Sequence, residues 1–265
     1  MAESSAPAVP HSDSSTPALA PHPPIAGAYM TPESKRGFLD SIFDDTAADY
    51  DRVERWLSLG SGRWYRREAL KRAGLKAGMR VADVAVGTGL VAGEALTIVG
   101  PTGRVTGIDP SAQMMRRASD RLGIETVAGT AEALPFPDAS FDFLSMGYAL
   151  RHVGDLNAAF REFHRVLKPE ARSGGGRVCI LEITRPRTPA GRLFLRSYLA
   201  VASRMLGLVA RLSRRTPELW AYYWETIDAC VPGDRIVTAM RDAGFVDVER
   251  GVVLGIFSEY TAARG

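Results

Sequence analysis

Cysteine is scarce: Cys179 and Cys230 are the only two in 265 residues. Two thiols cannot build a multi-bridge disulfide scaffold or a zinc site, so a reducing compartment is expected. No uncharged apolar run reaches the roughly 18 residues that a membrane-spanning helix needs. Net charge is slight, +3 from 33 Lys+Arg against 30 Asp+Glu, which leaves no electrostatic footprint of a nucleic-acid binder. Apolar periodicity is missing from residues 1–33, a stretch rich in Ala, Pro, Ser and His. Such a composition cannot offset its ordering entropy by burial and predicts a disordered tail. The tail lacks a basic start with an apolar core, has no Arg before Arg36 and carries Glu3 and Asp13. Those absences argue against a secretory or organelle-targeting peptide.

What is present is a full-sized core, 46% apolar with 24% charged, spread over one expected domain, 34–265. Between Ser34 and Gly74 the apolar residues Phe38, Ile42, Phe43, Val53, Trp56, Leu57, Trp64, Tyr65 and Leu70 fall in a helical pattern. Beyond Gly74 the pattern alternates. Strands are expected near Arg80, Gly103–Asp109, Ile124–Val127, Phe141–Met146 and Gly176–Ile183, with helices at Leu90–Val99, Ser111–Leu122 and Leu156–Leu167 between them. A helix at Asp234–Ala243 and two strands close the chain. Strands alternating with helices predict an α/β fold with a mostly parallel sheet.

One segment interrupts the alternation. Arg185–Pro217 holds eight arginines and no acid, so the rest of the chain is net acidic. On a helical wheel Arg192, Arg196, Arg204, Arg211 and Arg215 fall within about 140°. Phe194, Leu195, Tyr198, Leu199, Met205, Leu206, Val209 and Leu212 lie opposite. This predicts an amphipathic basic helix, or two in tandem near Gly207, within a helical insertion at 185–230.

The strongest local signal is Asp83-Val-Ala-Val-Gly87-Thr88-Gly89 at a strand-to-helix turn. Glycines let a ligand approach the backbone closely, and a helix N-terminus offers free N–H groups. Asp109, 22 residues after Gly87, ends the next strand, where a carboxylate can accept both hydroxyls of a ribose. A nicotinamide cofactor and S-adenosylmethionine both suit such a turn. Asp83 four residues before Gly87, and the lack of a second dinucleotide-binding half, favour S-adenosylmethionine.

Further motifs carry a resemblance. Gly129-Thr130-Ala131-Glu132-Ala-Leu134-Pro135-Phe136-Pro137-Asp138, Gly147-Tyr-Ala-Leu-Arg151-His152-Val153 and Arg165-Val-Leu-Lys168-Pro169 resemble the class I S-adenosylmethionine-dependent methyltransferases. Within them the chain is similar to the ubiquinone/menaquinone C-methyltransferase family. Phe43-x-x-x-Ala47-x-x-Tyr50-Asp51 and Met240-x-x-Ala243-Gly244-Phe245 match that family's opening and closing motifs. The resemblance implies a Rossmann-like seven-stranded sheet, mostly parallel with one antiparallel strand, carrying N-terminal helices and a helical lid. It implies S-adenosyl-L-methionine as cofactor and no metal. Gly87, Thr88 and Gly89 would face its methionine portion, Asp109 its ribose, and Thr130 and Ala131 its adenine, with Asp83 also among the cofactor-binding residues. Gly147 would lie beside it and Tyr50 would close over it. Arg151 and His152 would stand near the acceptor as the catalytic pair. Departures from the family pattern are Thr130 in place of Asp or Asn, Ala92 in place of Thr, Glu54 in place of Asn, and an enlarged turn at Glu170–Gly176.

The reaction implied is C-methylation of a prenylated quinol. The alternatives are another small hydrophobic acceptor, such as a phospholipid amine or a natural-product phenol, and a non-catalytic cofactor-binding protein. Ring methylation needs a base at the acceptor hydroxyl, and His152 has the suitable ordinary pKa, near 6.5. Arg151 would hold a developing phenolate or simply pair with a carboxylate. Glu225 would point into the pocket or lie on a helix surface; His164 and Cys179 read as structural. The basic segment either presents arginines to anionic headgroups at the inner membrane face of the cytoplasm or packs on the core with solvated arginines. A homodimer stays open.

Overall fold

A computed structural model describes residues 17–25, 28–31, 34–35, 37–39, 41–42, 61–169, 175–186, 188–209 and 216–265, and of 202–209, 216–218 and 220 the backbone alone. Helix α1 (Gly62–Arg72) leads into β1 (Arg80–Val84), α2 (Leu90–Val99), β2 (Arg104–Asp109), α3 (Ala112–Leu122) and β3 (Glu125–Ala128). Then follow β4 (Phe143–Gly147), α4 (Leu156–Val166), β5 (Arg177–Ile183), α5 (Pro189–Val209), α6 (Thr216–Ala229), α7 (Gly233–Asp242), β6 (Phe245–Val253) and β7 (Phe257–Arg264). The strands form one seven-stranded sheet in the order β3-β2-β1-β4-β5-β7-β6, with β7 antiparallel to both of its neighbours.

The central strands are buried almost end to end, as apolar runs sandwiched between two helical layers must be. Leu144, Met146, Phe160, Phe163 and Met240 pack on one face; Val81, Val91, Ala95, Phe143 and Cys179 pack on the other. Local chemistry sets the helix ends. Ser111 Oγ accepts from Met114 N at 3.1 Å to start α3, which stops at Gly123 in the left-handed conformation. Asp155 caps α4 in the same way, accepting from Asn157 N at 3.0 Å.

A third apolar cluster decides where the site lies. Ile25, Tyr29 and Ile42 from the front segment meet Leu195 and Leu199 of α5 and Leu219, Tyr222, Tyr223 and Ile227 of α6. Residues 17–25 and 28–31, part of the stretch expected to form the tail, make defined contacts here. Leu19 N donates to Asp155 Oδ1 at 2.9 Å, while Leu19 O accepts from Leu156 N and Pro21 O from Val231 N. A segment without periodicity has ordered itself here by docking on a core that other elements supply. Residues 1–16 lie outside the described residues.

The lid follows its expected shape only in part. α5 continues through Gly207 to Val209, the single-helix alternative of the two expected. Its apolar side is divided: Leu195 and Leu199 are buried, but Leu193, Phe194, Tyr198 and Val201 are exposed, with the Phe194 and Tyr198 rings stacked at 6.2 Å. Arg192 and Arg185 stay partly exposed while pairing with Asp228 on α6, at 2.8 and 3.3 Å.

Candidate active site

The strand order reverses between β1 and β4, and ligands of open α/β sheets bind at the carboxyl ends of strands beside that switch point. A cavity of about 290 Å³ sits there. It runs from Asp109, Ser111, Met114 and Thr130 past Gly87 and Gly147 to His152, Tyr223 and Lys35. Two non-glycine residues on its wall, Ala85 and Tyr148, have φ of 56° and 60°. Left-handed backbone at such residues is costly and clusters at functional sites.

Asp83 and Asp109 line the same cavity in different environments. Asp83 is fully buried and accepts from Ser145 Oγ at 2.6 Å across the β1–β4 ladder, where the two residues are in register. Burial raises its pKa to about 7; the charge of Asp109 acts in the same direction and the Ser145 hydroxyl opposes them. The Asp109 carboxylate accepts from Gly87 N and from Ser111 N, each at 2.9 Å. Two amides thus fix its orientation, and a carboxylate has lone pairs for further hydroxyl donors.

Gly87 has φ of 53°, and a Cβ there would meet nothing within 4 Å, so the turn leaves open space on the cavity side. At Gly147 the reason is the opposite: a Cβ would lie 2.4 Å from Val91 Cγ2. Gly89 holds the left-handed N-cap of α2 and packs against Leu122; it is not part of the cavity wall. Thr88, Thr130 and Ala131 do line the cavity. Tyr50, expected to close over the cofactor, falls outside the described residues.

His152 lines the far end of the cavity. Its Nδ1 lies 2.9 Å from Tyr222 Oη, and its ring stacks on that tyrosine at 5.4 Å. Burial, with the neighbouring charges of Arg151 and Lys35, holds its pKa well below 6.5. The imidazole is therefore neutral at physiological pH and presents a lone pair.

Arg151, expected either near the acceptor or paired with a carboxylate, has a carboxylate partner. It is 1% exposed, off the cavity wall, and its Nη1 meets Glu182 Oε1 at 2.6 Å and Tyr148 O at 2.7 Å. Its guanidinium lies over the Tyr223 ring at 4.6 Å. Arg151 thus ties the end of β4 and the His152 turn to β5 and α6. Glu225 is exposed and off the cavity, and His164 meets Phe245 edge-on at 5.3 Å.

Cavity residues with no role expected from the sequence include Lys35, Arg66, Glu132 and Tyr223. Glu132 stood inside a recognised motif, and its Oε1 accepts from Gly154 N at 2.6 Å. Lys35 and Leu39, four apart on a helical pattern, gave only a faint signal. Tyr223 belongs to α6, whose approach to the sheet is not encoded in any local motif. Among the described residues no group of His, Cys, Asp and Glu has the arrangement to hold a metal ion.

The cavity matches the chemistry of S-adenosylmethionine: an open glycine turn, an oriented acceptor-only carboxylate for ribose hydroxyls, and the apolar Met114 and Ala131 beside it. Comparison with known proteins points the same way. Residues 30–263 match the model of the ubiE/COQ5 methyltransferase family. The chain is 34% identical over 217 residues to a ubiquinone/menaquinone biosynthesis C-methyltransferase of Hahella chejuensis, covering 79% of this chain and 84% of that protein. With its counterpart from Pseudomonas putida it shares 35% over 227 residues, covering 83% and 86%. Two solved structures share the fold. A methyltransferase from Thermotoga maritima, described as a possible histamine N-methyltransferase, has a TM-score of 0.59 at 23% identity, covering 85% of this chain and 99% of that one. An S-adenosylmethionine-dependent methyltransferase from Aquifex aeolicus gives 0.56 at 21%, covering 81% and 98%. With the sheet order, the oriented Asp109 and the match along most of the sequence, the chain belongs to the ubiE/COQ5 methyltransferase family and is a class I S-adenosylmethionine-dependent methyltransferase.

Proposed function

We propose that this enzyme C-methylates a prenylated quinol of the ubiquinone or menaquinone type. The observation that carries the reading is the far end of the cavity: neutral His152 beside Tyr223, Leu39 and Val153, under a roof of aromatic and aliphatic side chains. An apolar ring with one ionisable hydroxyl suits that chemistry, and the relatives from Hahella and Pseudomonas are named for it. When bound, S-adenosylmethionine supplies an electrophilic methyl group on a sulfonium. Gly87 and Thr88 would hold its methionine portion, Asp109 its ribose and Thr130 and Ala131 its adenine, with Gly147 alongside. Orientation by these groups accounts for much of the acceleration, because in-line displacement depends chiefly on alignment. With Nδ1–H donating to Tyr222 Oη, Nε2 of His152 is the ring's acceptor for the hydroxyl proton of the quinol. Glu182, through Arg151, keeps that turn in place.

The direct test incubates the purified enzyme with S-adenosylmethionine and three acceptors: a short-chain demethylated prenyl-naphthoquinol, a simple phenol and phosphatidylethanolamine. Methylation at a ring carbon of the quinol is the expected result. Methylation of the amine or of a phenolic oxygen instead, or no turnover of the quinol, overturns the reading.

Among the described residues no helix is long and apolar enough to cross a membrane. The reading nonetheless includes cytoplasmic, peripheral contact with the inner membrane face, where a prenylated acceptor resides. Its support is the stripe Leu193, Phe194, Tyr198 and Val201 on α5, exposed beside Arg196. Flotation with liposomes is expected to carry the enzyme upward when anionic lipid is included, with loss of binding in high salt. A Phe194→Ser, Val201→Ser variant should bind at least about tenfold more weakly, since burying each side chain contributes about 1.5–3 kcal/mol. Equal flotation of the variant would remove α5 from the contact.

A further inference from the structure

We propose that Lys35 is the group that receives the acceptor as an anion, its ammonium pairing with the phenolate oxygen at the His152 end of the cavity. The inference deepens the quinol reading and rests on it for the identity of the acceptor, although any phenol would meet the same cation.

Lys35 lines the cavity, and Leu39 lines it one helical turn later. Its Nζ donates to Val153 O at 2.8 Å, the residue after His152, and stands 5.9 Å from the Tyr29 ring centroid. An ammonium has three N–H donors, so this bond leaves two for a ligand. Among the described residues no carboxylate pairs with it, whereas Arg151 has Glu182 and Arg72 has Glu259. Glu132 acts on it from the loop after β3, but its Oε1 is taken by Gly154 N. The other titratable groups around it are Tyr29 and His22 of the front segment, Arg151 and His152 of the turn, and Cys230 after α6.

A half-buried cation with no carboxylate in direct contact is unfavourable, and burial lowers the Lys35 pKa to about 8, against the opposing charge of Glu132. An anionic ligand would relieve that cost. Arg66, the other cation lining the cavity, lies over the Tyr148 ring at 5.9 Å. The arrangement also answers a chemical difficulty. His152 is held well below 6.5 and is a weak base toward a phenol, whose pKa is about 10. With Lys35 beside the oxygen, the phenolic proton goes to His152, the negative charge is met by the ammonium, and Lys35 keeps its own three protons.

The probe is para-nitrophenol, titrated by its visible absorbance with S-adenosylhomocysteine present. Wild-type enzyme should lower its apparent pKa by about one unit, the low end for an adjacent opposite charge. K35Q and K35M should abolish that shift and K35R retain most of it, with S-adenosylhomocysteine affinity within about twofold of wild type as the check on folding. For the quinol, kcat/KM should fall about 100-fold in K35Q. In wild type it should also decline as pH rises through about 8, where the ammonium deprotonates, and K35Q should lack that decline. No shift in wild type, an equal shift in K35Q and K35M, or a selective loss of S-adenosylhomocysteine affinity overturns the proposal. Quinol inactivity with an intact Lys35-dependent shift would instead sink the acceptor reading and leave the anion site standing.

Discussion

Replacing Glu182 with alanine is expected to destabilise the enzyme by about 3–5 kcal/mol, read as a lower urea midpoint, because Arg151 would keep a buried charge without its partner. Both side chains are 1% exposed, so bulk solvent does little to screen the 2.6 Å pair. The loss should exceed that of a single hydrogen bond, since Glu182 also accepts from Arg151 N and from Ile183 N. A double Arg151→Leu, Glu182→Leu variant should recover much of the stability, as apolar replacement of a whole buried pair often does. It should not recover turnover. Arg151 holds Tyr148 O and the Tyr223 ring, and without it the His152 turn loses its anchor to β4 and α6. A double variant both stable and fully active would show that the pair has no part in positioning His152.

Asp109→Ala should weaken cofactor binding by about 100-fold or more, measured by calorimetry with S-adenosylhomocysteine. Two charge-assisted hydrogen bonds to ribose hydroxyls, each about 1.5–3 kcal/mol, set that scale. The carboxylate has a second task, because Gly87 N and Ser111 N both point at it. Removing it leaves the glycine turn and the start of α3 without a shared acceptor, so the unfolding midpoint should fall modestly alongside the affinity. Asp109→Asn keeps one acceptor oxygen and should lie between. Unchanged affinity in Asp109→Ala would contradict the assignment of this end of the cavity to the ribose.

The β1 turn was legible because its requirements are local. Positive φ at Gly87 and Gly89 and a carboxylate at the end of the next strand are met within about one β-α-β unit, so short sequence windows carry them. Asp83 was found for the same reason, though its partner Ser145 comes from a strand 62 residues away. Arg151 and His152 were also found as a pair, yet their division of labour was not legible. Adjacent residues on a short turn point in different directions, and only Glu182 and Tyr222, 31 and 70 residues further on, decide which of them faces the cavity.

The contacts of the front segment were not legible for a related reason. Composition weighs what a segment can bury by itself, and residues 17–31 bury little alone. Ile25 and Tyr29 are ordered by a cluster built mostly from α5 and α6. α5 itself was expected to have one apolar face, and the structure gives it two stripes with different fates. A helical wheel reports which residues share a side but not how much of that side a neighbour covers.

The alternating α/β plan, the glycine turn with Asp83 and Asp109, and the family are written in residues close along the chain or in matched motifs. Only the tertiary structure decided that Lys35 and Tyr223 reach the same cavity as His152, that Arg151 turns away to Glu182, and that part of α5 stays uncovered. Those outcomes depend on which distant elements close over the sheet. Packing between them is set by the whole fold at once, and no local pattern records it.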